Sequence, residues 1–298
     1  MKKTAAAAFL LLAAGCSQAA GHEVDTFEHI HGLEFDREQE DTLHVSTHHG
    51  VKTIDENGIW RDPAEHEEQH DLMGFTLLED NTMVSSGHPS HDSELPDPIG
   101  FIRSTDGGKH WEQIALAGET DFHHMEVNRG DETRMYGINA SDSSFYRSDN
   151  GGTDWDRLEA SNLPEQYPDV ISLVSNPENP DHLLISGRGG IYESPDAGES
   201  WELTDQSRVM VSAAAENGVL YAYTADAEGG SLMVSEDFGD SWESVGFTLD
   251  EDAVLHIALH PEDRDRLAVG TAEEDIYVTE DGGQSWIQLA ENSQPVEK

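Results

Sequence analysis

The stretch STDGGKHW, residues 104 to 111, returns as SDNGGTDW (148 to 155), SPDAGESW (194 to 201), SEDFGDSW (235 to 242) and TEDGGQSW (279 to 286). Successive starts lie 44, 46, 41 and 44 residues apart. A degenerate sixth copy, TIDENGIW (53 to 60), keeps Asp55 and Trp60 but has Asn57 where the others carry glycine or its counterpart. All six tryptophans of the chain occupy the last place of this octad. A period of this length marks one supersecondary unit that cannot bury its apolar face alone and must stack on its neighbours. Between copies the chain runs through an apolar strand, a turn, a β-rich strand, a turn and a third strand. After each octad comes a fourth, such as WEQIAL, WDRLEA or WIQLAE. Four short strands per unit predict an all-β, six-bladed propeller. The blades are expected near residues 29 to 65, 70 to 118, 121 to 161, 169 to 205, 209 to 248 and 253 to 290. Blade six already holds its own fourth strand, so the ring is expected to close by packing alone or through the VDTF stretch before blade one.

The octad, Ser/Thr-x-Asp-x-Gly-x-x-Trp, resembles the Asp-box (BNR) repeat of the sialidase, sortilin and photosystem-assembly-factor propellers, which include glycosylhydrolase-like bacterial lipoproteins. That resemblance implies a tight turn between the third and fourth strands of each blade. Its aspartate would bond the turn backbone, its glycine would take a conformation that a Cβ hinders, and its tryptophan would pack between blades. Those roles are structural, so Asp106, Asp196, Asp237 and Asp281 are not read as catalytic acids.

The chain opens MKKTAAAAFLLLAAGCSQ, with two lysines, an apolar run from Ala5 to Ala14, then Gly15 and Cys16. Such a run is too short to span a bilayer, which takes roughly 20 residues, and reads as an export signal over residues 1 to 15. The ending AAGC resembles a lipoprotein signal, with Cys16 as the lipidated residue, although Leu12 stands four places before the cysteine where three is usual. The protein is therefore expected on the extracytoplasmic face of a membrane, held by its lipid alone. Residues 16 to 28 are expected to form a tether, 29 to 291 the propeller and 292 to 298 a tail. Cys16 is the single cysteine, so no internal disulfide supports the fold.

Formal charge is −45, from 61 acidic and 16 basic residues. A surface of that sign repels nucleic acid and anionic membrane faces and favours solubility in a salty medium. The chain is expected to act as a monomer.

Thirteen of the sixteen histidines fall within the first 124 residues. Aligning the innermost strands, EHIHGLEF with HDLMGFTL, TDFHHMEV and PDVISLVS, matches His29 with Asp71, Asp121 and Asp169. It matches His31 with Met73 and with His123 or, one residue on, His124. In the second strand, DTLHVSTHHG against DNTMVSSGHP matches His49 with His88, and Arg188 falls near the same place in blade four. Antiparallel neighbours put the start of one strand beside the end of the next, so these residues should meet at one mouth of the central channel, away from the octads. The expected ligand set is His29, His31, His49, Asp71, His88, His123 and His124, with His48 and Asp121 beside it. A longer loop, GHPSHDSELPDPIG, leaves from the same mouth and could cover it. His22, His66, His70, His110 and His182 are read as dispersed surface residues.

Imidazole is the commonest metal ligand, and three or four of them with an aspartate suit zinc or copper. Met73 and Met125 add thioethers that tilt the balance toward copper. The primary expectation is a binding protein for a ligand, with a transition metal ion as cofactor, and no catalytic residue is assigned. A glycoside hydrolase is the alternative suggested by the sialidase relatives. No arginine triad can be assembled for it, since Arg103 and Arg147 precede octads at the far face. A protein-interaction scaffold without metal is the third reading.

Overall fold

A computed structural model describes residues 21–39, 41–55, 57–64, 68–163 and 170–296. Cys16, His66, Asp169 and the expected signal segment lie outside the described residues. Six antiparallel sheets, four-stranded except at the two ends of the chain, follow one another as the blades of a propeller. Their inner strands are Gly32–Phe35, Asp71–Leu77, Phe122–Val127, Val170–Asn176, Val209–Glu216 and Val254–Leu259. Each blade then steps outward in sequence order to its fourth strand.

The octads are the turns expected of them. In the second blade Oδ1 of Asp106 accepts the N–H of His110 at 3.0 Å, and the Ser104 hydroxyl accepts that of Gly108. Asp196, Asp237 and Asp281 repeat the arrangement with Ser200, Ser241 and Ser285. In blade three Asn150 does the same work through its side-chain oxygen, accepting the N–H of Asp154. The second glycine brings each turn against the preceding blade. A Cβ on Gly198, at φ +86°, would stand 2.2 Å from the Phe145 ring, so only glycine fits there. Trp201, 3% exposed, meets that same Phe145 edge-on at 5.8 Å and seals the junction of blades three and four.

Ring closure uses both ends of the chain. His22–Glu23 adds an outermost strand to blade one, and Gln294–Pro295 adds one to blade six. Between them Phe27 donates its N–H to the carbonyl of Ser293 and stacks on Trp60 at 4.4 Å. One apolar cluster then joins Phe27, Ile30 and Trp60 to Ala268, Ile276 and Val278 of blade six. The tether and tail read from the sequence are thus shorter than expected. Residues 21–28 and 292–296 are built into the closure, so of the two expected modes the VDTF stretch is the one used, with Phe27 buried and Val24 packed against the same cluster.

Candidate metal site at the channel mouth

Four inner strands end on equivalent backbone bonds, from the N–H of Asp36, Leu78, Asn128 and His260 to the carbonyls of Thr42, Thr82, Arg134 and Arg266. Counting back from these bonds puts Ile30, Leu72, Phe122 and Val254 at one level, all buried. One residue earlier stand His29, Asp71, Asp121 and Ala253, and one residue later His31, Met73, His123 and Leu255. The strand starts therefore share the register expected from the sequence. The octads lie at the other end, since Ser104 pairs with Met83, which pairs with Leu77 at the far end of its strand.

Two groups of three potential ligands form at this mouth, each with its donor atoms within 4.8 Å of one another. In the first, Nδ1 of His31 and Nδ1 of His48 stand 3.2 and 2.9 Å from Oδ1 of Asp71. His31 Nδ1 and Asp71 Oδ1 are both buried without a well-aligned hydrogen bond. Burial opposes ionisation of Asp71, but the facing imidazoles of His31 and His48 outweigh it and hold the carboxyl below its usual range.

In the second group Nε2 of His88 and Nε2 of His123 stand 3.2 and 2.8 Å from Oδ2 of Asp121. The other ring nitrogen of His88 contacts Oδ1 of Asp97 at 2.6 Å. A carboxylate on the remote nitrogen is the device that orients a metal-ligating imidazole. Asp97 comes from the long loop, while His91 and Asp92 of that loop are fully exposed. The loop supports the site from one side and does not cover it through those residues.

Donors around one tetrahedral ion at about 2.1 Å stand about 3.4 Å apart. The nitrogen-to-oxygen contacts of both groups need open by only a few tenths of an ångström to reach that spacing. Each supplies three protein ligands, the number that leaves a fourth position open.

Other expected ligands are placed elsewhere. The Ser46 and Ser86 levels of the second strands make His48, not His49, the counterpart of His88. The tight turn after Thr47 swings His49 outward, where Nε2 faces Glu28 at 3.3 Å. His29 packs edge-on against His48 at 4.7 Å, but its Nδ1 faces Glu274 of blade six at 3.0 Å. His124 is turned away from Asp121 by a register shift after Phe122 and bonds the main chain of Val170 in the next blade. His256 does the same to Ile30, and the hydroxyls of Ser172 and Ser212 bond the carbonyls of Met210 and Val254. These four residues share one level and latch successive blades together. Burial pushes both latch histidines down to about 4, so they stay neutral.

Two surface assignments also change. His70 is buried, its Nδ1 accepting the N–H of Ser90, and burial lowers its pKa. His182 is half-buried, 2.7 Å from Glu193, whereas His110 is exposed as expected and faces Oδ2 of Asp106 at 2.7 Å. His256 went unrecognised in the sequence, although VLHIAL (254 to 259) places it where FHHMEV (122 to 127) places His124.

Behind the mouth the channel holds a cavity of about 430 Å³. Its wall passes from the mouth through a belt of Leu33, Phe75, Met125, Leu173, Ala213 and Ile257 to a charged floor of Glu34, Glu126, Arg129 and Glu216.

An all-β ring of six blades with octad turns defines an Asp-box β-propeller. The Sortilin-Vps10 family (sortilin, neurotensin receptor 3) matches residues 100–228 and 230–298, and the chain belongs to it. It is 22% identical over 236 residues to a xyloglucanase of Paenibacillus sp, covering 74% of this chain and 22% of that one. It is 21% identical to an oligoxyloglucan-reducing end-specific xyloglucanase of Emericella nidulans, covering 81% and 38%. The chain thus spans well under half the length of these relatives. Among solved structures, the GH74 enzyme of Niastella koreensis superposes with a TM-score of 0.63 at 16% identity, over 91% of this chain and 47% of that one. YCF48 bound to a D1 peptide superposes with a TM-score of 0.52 at 16% identity, over 91% and 85%. Likeness at this level is likeness of fold.

Proposed function

We propose that the protein is an extracytoplasmic binding propeller whose channel mouth holds a transition metal ion, copper or zinc, between blades one, two and three. The observation that carries this reading is the convergence, twice over, of two imidazole nitrogens on one aspartate oxygen supplied across neighbouring strands. Acidic surface alone does not gather imidazole nitrogens, and nitrogen is what distinguishes a zinc or copper site from a calcium or magnesium one. His31 and His48 with Asp71, and His88 and His123 with Asp121, are the ligands in this reading. A bound ion would supply a Lewis-acid centre with a position open to a ligand atom from outside. Elemental analysis of protein isolated without chelator tests the reading, with zinc or copper expected in at least stoichiometric amount.

A second reading places a partner protein over the same mouth. YCF48, which shares the fold, was solved with a peptide bound, and an open coordination position would accept a side chain from such a partner. Glycoside hydrolysis, by analogy with the xyloglucanase relatives, is the weaker alternative. Export and lipid attachment through Cys16 belong to the same proposal and rest on the AAGC sequence alone. No described helix is long and apolar enough to cross a membrane.

A further inference from the structure

The floor of the channel cavity carries more negative groups than it can pair. Arg37 bonds Glu216 at 2.6 Å and contacts Glu34 at 3.4 Å, and Arg129 bonds Glu34 and the carbonyl of Leu77. The bonds of both guanidinium groups go to Glu34, Glu216 and a carbonyl, and Arg129 acts on Glu126 only through space. Glu126, on the same wall and at the level of Glu34, makes no ion pair among the described residues. Its Oε1 accepts the N–H and hydroxyl of Ser175, at 3.0 and 2.8 Å, while no bond is made by Oε2 within this lining of the cavity. Glu132, just outside the cavity, adds another carboxyl near the same two arginines. Glu34, Glu126 and Glu216 on the floor, with Glu132 beside it, thus outnumber Arg129 and Arg37, and positive charge is missing.

We propose that the floor is a binding site for the primary ammonium group of a small aliphatic amine. The ammonium sits on Oε2 of Glu126 and the hydrocarbon stem lies along the apolar belt above it. The cation supplies the missing charge, and the belt of Leu33, Phe75, Met125, Leu173, Ala213 and Ile257 desolvates methylene groups, which stabilises by about 0.8 kcal/mol each. Without a ligand the deficit is met by a proton, and burial, the largest influence, raises the Glu126 carboxyl to about 7. Binding therefore exchanges that proton for an ammonium group, and the proton goes to solvent.

Depth decides the source of the amine. From the level of His31 to that of Glu34 the strand rises about 10 Å over three residues. A lysine side chain reaches about 6 Å from its Cα, so a peptide held at the mouth falls short of the floor, whereas a free alkylamine enters whole.

Calorimetric titration of the full chain in chelator at pH 7 with ethylamine, n-hexylamine, n-hexanol and Nα-acetyl-lysine amide tests the proposal. Hexylamine is expected to bind at least tenfold more tightly than each of the other three and to release protons, seen as a heat that changes with buffer ionisation enthalpy. Glu126→Gln should lower hexylamine affinity at least tenfold while leaving the thermal midpoint equal or higher. Asp71→Asn/Asp121→Asn, which alters the mouth only, should leave it unchanged whether or not the protein binds metal. Hexylamine that does not bind, that binds Glu126→Gln as well as wild type, or that is matched by hexanol would overturn it. Tighter binding of the lysine amide would overturn the assignment to a free amine.

Discussion

Nδ1 of His48 on blade one lies 2.9 Å from Oδ1 of Asp71 on blade two, and the same oxygen lies 3.2 Å from Nδ1 of His31. One carboxylate oxygen thus gathers two imidazoles across a blade junction. Ligation requires neutral imidazole, and at His88 burial is outweighed by the carboxylates of Asp97 and Asp121, which raise its pKa above the ordinary value. Metal affinity is therefore expected to fall as pH drops from 7 to 5, as measured by competition with a chromogenic chelator.

Support from the remote side of a ligand should matter as well. Asp97 contacts Nδ1 of His88 at 2.6 Å and makes no ion pair with another member of its group among the described residues. Asp97→Asn is expected to weaken the second site by about tenfold to a hundredfold, in the range seen when such outer partners are lost. A two-site titration compared with wild type would show one affinity moved and the other unchanged.

The latch histidines carry a pH signature independent of metal. His124 and His256 titrate near 4 in the folded protein against about 6.5 in the unfolded chain. A base with a lowered folded pKa stabilises the fold fully above 6.5 and loses that contribution as pH falls toward 4. His124→Ser/His256→Ser, which installs the residue blades four and five use at this level, is expected to flatten the stability curve between pH 6.5 and 4. Urea midpoints at several pH values check it, and an unchanged slope would remove the latch interpretation.

Glu126 has the opposite sign. Its folded pKa, about 7, stands above the ordinary 4.5, so its contribution is intact below 4.5 and stability declines as pH rises through 7. Glu126→Gln is expected to gain about 3 kcal/mol at pH 8, and nothing at pH 4, in denaturant titrations.

Trp201→Ala removes a buried indole from a blade junction and is expected to cost about 3 to 5 kcal/mol. His91→Ala, at a fully exposed side chain, should stay within about 0.5 kcal/mol of wild type. Equal midpoints for the two would contradict the packing role of the octad tryptophans.

The fold was legible because one octad fixes a turn, a glycine and an interblade tryptophan at once, and repeats often enough to count blades. The strand starts were legible for a related reason, since Asp71 and Asp121 follow from aligning apolar runs that have a period of two. What failed depended on a single residue of register. The turn after Thr47 exchanged His48 for His49, and the shift after Phe122 sent His124 to the neighbouring blade. Irregularities of this kind arise where strands meet a crowded channel and leave no local sequence mark. The partners of His29 and His70 were beyond reach for another reason, because Glu274 lies on the last blade and Ser90 in the long loop.

The most direct test is a calorimetric titration of zinc and of copper into chelator-stripped wild type, Asp71→Asn/Asp121→Asn and His91→Ala at pH 7. Wild type and His91→Ala are expected to bind alike, and the double asparagine variant at least tenfold more weakly, a loss of about 1.4 kcal/mol or more. Equal binding by all three proteins would show that the ion is held by the acidic surface at large and would contradict a metal site at the channel mouth.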